Sequence, residues 1–397
     1  MIDRVVRWFV APDANPNDPQ IRQRYGALAG AIGIGLNLIL FLGKILSGMI
    51  TGSIAMIADA VNNLSDAATS VVTLMGFRLA GHKADAEHPF GHGRAEYLSG
   101  LMVALAVLLM GVEVGKSSIS RLFHPEPVEF SWPVAVILAV AVGIKLWMAQ
   151  FNRKLGKKID SIAMQAVSVD SLSDAAATSV VLLSMFVERY LSISIDGLAG
   201  LLVAVFILKT GWETVKDTID PLLGRPMDAA LAESIDRLVV SHPNILGVHD
   251  LIYHDYGPGR AMMSFHAEVP AEGNFLELHD IIDHIEREMK QEHGIETVVH
   301  MDPVVCDERT EALRSRVAEL ARGIHPRLTI HDFRITPGPL HTNLIFDIVI
   351  PYGLSMGDQQ VAGTLRKEIE EMEEALYAVI EIDHSYVDTC KQERDAQ

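Results

Sequence analysis

Through the first part of the chain, apolar residues run for about twenty positions at a time, the length a helix needs to cross a bilayer. Six such runs stand out: Tyr25–Ile50, Ser53–Phe77, Ala95–Gly115, Trp132–Phe151, Ile162–Val187 and Ile195–Trp212. Several contain Asp, Asn, Lys or Glu, so hydropathy by itself leaves two of them marginal. From Pro226 the rhythm changes. Helical spacing predicts helices over Asp228–Ser241 and Leu276–Glu292, and alternation predicts strands over Gly247–Asp255, Arg260–Val269 and Thr297–Pro303. Residues 308–387 repeat the same order. The expected fold class is an α-helical membrane domain of six transmembrane helices followed by α+β units. The expected layout is a cytoplasmic N-terminal segment (1–20), a transport domain (21–225), an α+β domain (226–306), a second, repeat-like domain (307–390) and a disordered tail (391–397).

Basic residues in the flanks orient the spans. Arg4, Arg7, Arg22 and Arg24 precede the first. Arg78, Lys83 and Arg94 lie in the second connection, and Arg153, Lys154, Lys157 and Lys158 in the fourth. The first connection has none, and the third and fifth share Lys116, Arg121 and Arg189. A positive-inside bias puts both termini in the cytoplasm of a protein integral to the cell (plasma or inner) membrane. The start of the chain lacks the compact apolar core of a signal peptide. Lys44 and Lys145, inside the apolar runs, read as snorkelling towards the cytoplasmic surface.

Charge sharpens the division. Up to Arg225 there are 19 acidic and 19 basic residues; beyond it, 32 acidic and 14 basic, so the whole net charge of −18 belongs to the C-terminal part, with 12 of the 16 histidines. That balance opposes nucleic-acid binding, which needs a basic face to displace counterions. Two cysteines, Cys306 and Cys390, are too few for a disulfide framework or a cysteine zinc site. No nucleophile–base pairing or organic-cofactor motif is present, so no enzyme is expected.

Polar residues inside the spans carry the candidate chemistry. The second span reads Asp59-Ala-Val-Asn62-Asn63-Leu-Ser-Asp66, the fifth Ser168-Val-Asp170-Ser-Leu-Ser-Asp174. A spacing of four stacks Asn62 with Asp66 and Asp170 with Asp174 on one face of each helix. A carboxylate at membrane depth is costly unless paired or solvated. If the two faces converge, these four residues form a cage of oxygen donors; the alternative is that they cap helix kinks. For Asp59 alone the capping reading is favoured, and Asn63 reads as packing. The spans also resemble each other, Val61 onward against Val169 onward, as in an internal repeat that places equivalent motifs at one central site. The second connection, Asp85-Ala-Glu-His88-Pro-Phe-Gly-His92-Gly-Arg94-Ala-Glu96, offers Asp85, His88 and His92 as a set able to share a metal.

Six spans, the paired four-spaced motifs, this loop and an α+β tail resemble the cation diffusion facilitator family of divalent-metal exporters over about residues 20–304. The resemblance implies transport of a divalent cation out of the cytoplasm, against inward proton flow, by a homodimer in the lipid bilayer. It implies that Asn62, Asp66, Asp170 and Asp174 form the transport site. It places His249, His266, His279, His300 and Asp302 at positions that bind regulatory metal in a ferredoxin-like (metallochaperone-like) cytoplasmic domain. It also likens Arg94 and Asp220 to a charged interlock between protomers. Zinc-transporting members usually carry His where this chain has Asp170, and the second-span motif begins with Asn62, a combination that looks like the manganese branch. Ligand chemistry agrees, because Zn²⁺ prefers imidazole or thiolate while Mn²⁺ accepts carboxylate and carbonyl oxygen. The expected substrate is therefore Mn²⁺; Zn²⁺, Fe²⁺ or Co²⁺ export is the alternative within the family, and a membrane-anchored metal sensor is the alternative outside it.

The second repeat drifts towards oxygen. Ile330-His331-Asp332-Phe333 echoes Val248-His249-Asp250-Leu251, but Asp347 and Glu381 stand where the first repeat has His266 and His300. Either it binds a harder cation or it serves structure alone, and the drift inclines the reading to the second.

Overall fold

A computed structural model describes residues 6, 18–51, 54–124, 130–191, 193, 195–338, 341–372 and 376–385. The tail expected at 391–397 and most of the N-terminal segment lie outside them. The described residues fall into two compact units, Met1–Arg225 with Asp255–Arg260, and Pro226–His254 with Ala261–Gln397.

The first unit contains six long helices among its described residues: α1 Pro19–Thr51, α2 Ile54–Ala80, α3 Ala95–Phe123, α4 Trp132–Lys158, α5 Ile162–Leu191 and α6 Asp196–Leu223. Five of them, all but α2, are long and apolar enough to cross a membrane. At 27 residues α2 is also long enough. Its sequence is diluted by Asp59, Asn62, Asn63, Ser65 and Asp66, so apolarity alone does not make it the sixth span expected above. Exposed apolar stripes mark the outer faces. Leu42, Leu46 and Met49 line α1; Met102, Leu105 and Leu109 line α3; Leu198, Leu202 and Val205 line α6. Each stripe follows the helical repeat and suits contact with lipid tails, which give no reason to hide it.

Small residues let the helices approach closely, as is common where lipid supplies no hydrophobic drive. On α1, a Cβ added at Gly30 would meet Leu74 of α2 at 2.8 Å, and one at Gly33 would meet Ser70 at 2.7 Å. Gly111 of α3 faces Ile207 and Leu208 of α6 within the same chain. Two ion pairs tie helices together inside. Arg22 of α1 reaches Glu96 of α3 at 2.8 Å, and both are almost fully buried. Lys44 of α1 meets Asp59 of α2 at 2.7 Å, so Lys44 does not snorkel and Asp59 serves an ion pair between helices, beyond the capping expected of it. Removing one partner of a buried pair strands the other charge at a cost of about 3–5 kcal/mol. Glu96→Gln is therefore expected to lower the thermal midpoint of the purified protein clearly, and an unchanged midpoint would show that the pair contributes nothing.

Asp255–Arg260, the turn after strand β1, belongs to this first unit. The Arg94 guanidinium donates to the Asp255 carbonyl at 2.7 and 3.0 Å and lies over the Tyr256 ring, and the Tyr97 hydroxyl donates to the Asp255 carboxylate at 2.8 Å. Gly257 has φ +113°, and a Cβ there would collide with the Gly93 backbone at 2.2 Å. That position needs glycine on both counts. Arg94, likened above to an interlock between protomers, is thus engaged within its own chain.

The second unit holds two α+β repeats. The first is α7 Ala229–Val240, β1 Gly247–Asp255, β2 Ala261–Pro270, α8 Phe275–Glu292 and β3 Ile295–Val304. The second is α9 Glu308–Ile324, β4 Thr329–Pro337, β5 Thr342–Val349, α10 Asp358–Met372 and β6 Leu376–Asp383. Asp228, Asn274 and Asp307 start α7, α8 and α9 by accepting from backbone N–H groups that would otherwise lack partners. Those hydrogen bonds, chiefly from the Thr310 amide, hold the Asp307 carboxyl below its ordinary range. Each repeat forms a three-stranded sheet, β1-β2-β3 and β4-β5-β6. β2 pairs with β3 in parallel, as β5 does with β6. Met263, Phe265 and Ala267 of β2 are buried under Ile282, Ile285 and Met289 of α8, and Leu344, Phe346 and Ile348 of β5 repeat this against α10. Strand alternation then turns His266 and Asp347 to the opposite, polar faces.

Candidate metal centres

Asp66 of α2, Asp170 and Asp174 of α5, and Lys145 of α4 come together inside the first unit. The three aspartates are 4–7% exposed and the lysine 4%. The ammonium donates to Asp66 Oδ2 at 2.7 Å and to Asp174 Oδ2 at 2.5 Å. Asp170 lies within electrostatic reach of all three. Asp174 Oδ1 is buried with no hydrogen-bond partner. The Ser168 hydroxyl, donating to the Ala149 carbonyl at 2.8 Å, fastens α5 to α4 beside the cluster. Asn62 is exposed, one turn before Asp66, whereas Asn63 is buried and its amide donates to the Asp59 carbonyl at 2.8 Å.

Lys145 corrects the snorkelling reading. It stands thirteen residues from either end of α4, about 20 Å of helix at 1.5 Å per residue, too far for its stem to reach a surface. That central position was the overlooked signal. A lysine at mid-span must find anions inside the protein, and the carboxylates on α2 and α5 are those anions.

The loop before α3 brings Asp85, His88 and His92 together. His88 Nδ1 and His92 Nε2 each lie 3.5 Å from an Asp85 oxygen, and the two rings are 4.4 Å apart. Asp85 also accepts from the amides of His88 and Glu87, and the His88 amide chiefly holds its carboxyl below the ordinary range. His92 Nδ1 is buried without a partner.

In the second unit, His249, His266 and Asp302 converge. Asp302 Oδ2 is 3.2 Å from His249 Nε2 and 2.8 Å from His266 Nδ1, with His300 Nε2 at 3.3 Å from the other oxygen. The parallel register puts His266 opposite His300. His279 stands apart from this group, 3.6 Å from Asp283 on α8. His254 and His284 are exposed, and His284 approaches His242 and Glu288 closely enough for a shared ion.

A further group joins both repeats: Asp250, His331, Asp347 and Asp383. The hydrogen bond from His249 and the nearby His331 ring hold the Asp250 carboxyl well below its ordinary range. Burial opposes protonation of His331, yet Asp250, Asp347 and Asp383 outweigh it and raise its pKa. Burial, with like charge from Asp383, Asp332 and Glu381, pushes the Asp347 carboxyl up to about 6 against the pull of His331.

Paired carboxylates on facing membrane helices, with further carboxylate–imidazole clusters in an α+β portion, define a protein of the metal-cation transport class. Residues 31–223 match the cation efflux transmembrane domain and residues 227–304 the cytoplasmic domain of cation efflux proteins. The chain is similar to an uncharacterized transporter of Methanocaldococcus jannaschii, 30% identical over 68% of this chain and 95% of the relative. It is also similar to the manganese efflux system protein MneS of Bacillus subtilis (29% identical; 70% of this chain, 96% of that protein) and to the cation-efflux pump FieF of Klebsiella pneumoniae (28%; 71% and 95%). The chain belongs to the cation efflux, or cation diffusion facilitator, family, and is an integral membrane transporter of divalent cations. Both domain matches end before α9, so the second repeat lies beyond them.

Proposed function

We propose that the chain exports Mn²⁺ from the cytoplasm in exchange for protons, as a homodimeric secondary transporter in the cell membrane with both termini cytoplasmic. One observation supports the reading most: Asp66, Asp170 and Asp174 are buried together, and Asp174 keeps an unpartnered buried oxygen. These donors are all oxygen, which withholds the imidazole or thiolate that favours zinc. Similarity to a manganese efflux protein points the same way.

Asp66, Asp170 and Asp174 ligate the ion in this reading, and Asn62 joins when α2 turns its exposed face inward. Three carboxylates and one ammonium leave two formal negative charges, which one dication or two protons neutralise. Exchange of Mn²⁺ for two protons would therefore keep the cluster's charge constant as it passes between the two sides, where uncompensated charge is costly. Asp85, His88 and His92 form a loop site, and His249, His266, His300 and Asp302 a cytoplasmic regulatory site from which His279 stands apart.

The test is flux of Mn²⁺ and Zn²⁺ in reconstituted vesicles under an imposed pH gradient. Mn²⁺ flux should exceed Zn²⁺ flux and rise with the gradient. Asp170→His should swing preference towards Zn²⁺ by about tenfold or more, because it restores the nitrogen donor that zinc prefers. Flux indifferent to the gradient would remove the proton exchange; a parent that favours Zn²⁺ would remove the manganese reading.

A further inference from the structure

We propose that the two C-terminal repeats jointly hold a divalent transition-metal cation, bound by Asp250 of the first repeat and His331, Asp347 and Asp383 of the second. One ligand atom from each lies within 4.8 Å of the others. His331 Nε2 sits 3.4 Å from Asp250 Oδ1, 3.3 Å from Asp383 Oδ2 and 3.6 Å from Asp347 Oδ2. The independent sign of a ligand is His331 itself. Its side chain is nine-tenths buried, and Nε2 faces these oxygens at ion-pair range with no well-formed hydrogen bond to any of them. Contacts of 3.3–3.6 Å leave this buried ring nitrogen poorly satisfied, and an ion at the centre of the four groups would bind it closely while neutralising three crowded carboxylates.

Repeat symmetry explains how the group arose. His331 is the counterpart of His249, Asp347 of His266 and Asp383 of Asp302, and the paired register matches, His266 opposite His300 and Asp347 opposite Glu381. Asp250 and Asp332, which follow the two histidines, share a left-handed backbone, φ 53° and 49°. The equivalent rings of His249 and His331 meet at 4.4 Å. The second repeat therefore reuses three of the first repeat's ligand positions, exchanges one imidazole for a carboxylate, and takes Asp250 from its neighbour as a fourth ligand. Three carboxylates and one imidazole suit Mn²⁺ or Fe²⁺, and the imidazole favours such ions over Mg²⁺ and Ca²⁺. The oxygen drift of the second repeat is in this reading a change of ligand set and not a loss of binding.

Full-length protein, stripped with chelator and purified in detergent, is dialysed to equilibrium against Mn²⁺, and bound metal per chain is measured by elemental analysis. The parent, H331Q/D383N and D347N are compared, all in an Asp174→Asn background so that the outcome is independent of the transport reading. Both variants are expected to bind about one ion per chain fewer than the parent. The apo form of D347N should melt no lower than the apo parent, since it removes like-charge crowding, so its loss of metal would not be a loss of fold. In the same background, Asp302→Asn should retain the ion at the shared site. Equal Mn²⁺ occupancy in the parent and both variants overturns the proposal; equal occupancy of the site by Mg²⁺ overturns the assignment to transition metals.

Discussion

Asp174→Asn is expected to reduce Mn²⁺ flux in vesicles to background, the largest loss of any single substitution in the chain. Asp174 is 4% exposed, its Oδ2 accepts from Lys145 at 2.5 Å, and its Oδ1 has no partner. The amide keeps the shape but removes the charge and replaces one acceptor by a donor. Breaking one side of a buried ionic contact costs about 3–5 kcal/mol, or roughly a hundredfold to a few thousandfold in affinity at about 1.4 kcal/mol per decade. Flux is the decisive readout, with the elution profile of the purified variant confirming that it remains folded. Retention of parental flux would show that this cluster is structural, and would revive the reading of a membrane-anchored sensor.

Lys145→Met should have the opposite effect on binding. The ammonium bridges Asp66 and Asp174, in the space that the proposed transport site would give to a dication. A metal must displace it from two charge-assisted hydrogen bonds, each worth about 1.5–3 kcal/mol. Removing the lysine should therefore tighten Mn²⁺ binding by about tenfold or more when measured at pH 8, where fewer protons compete. Turnover should fall, because nothing tethered then helps to expel the ion. Lys145→Arg, which keeps the charge, should not tighten binding. Unchanged or weaker binding by the methionine variant would mean that the lysine supports the cluster without competing for it.

Much of the membrane unit was legible because its determinants are local. Runs of about twenty apolar residues form helices whatever surrounds them, and carboxylates four apart necessarily share a helix face. Hydropathy was a weaker guide where function intrudes: the polar residues of α2 keep it from standing out as a span. Lysines were misread because a single strand of text shows a residue's span but not its partner. Lys44 meets Asp59, and Lys145 meets Asp66 and Asp174, across distances of 15 to 79 positions that only helix packing closes. Arg22 and Glu96 drew notice only as flanking residues, yet they form a buried pair.

The repeats show the same division. The alternation of β2 and β5 and the offset between their motifs already indicated twin sheets, and the drift from His266 to Asp347 was readable letter by letter. Whether that drift abolished a site or rebuilt one depended on where His331 Nε2 points and on Asp250 arriving from the other repeat. By itself, then, the sequence determined which segments are helices and strands, where the carboxylates and imidazoles fall on each face, and which family the chain resembles. Only the tertiary structure decided which charges neutralise one another. Secondary structure follows from periodicity along the chain, whereas ion pairs and metal clusters require atoms distant in sequence to approach within a few ångströms.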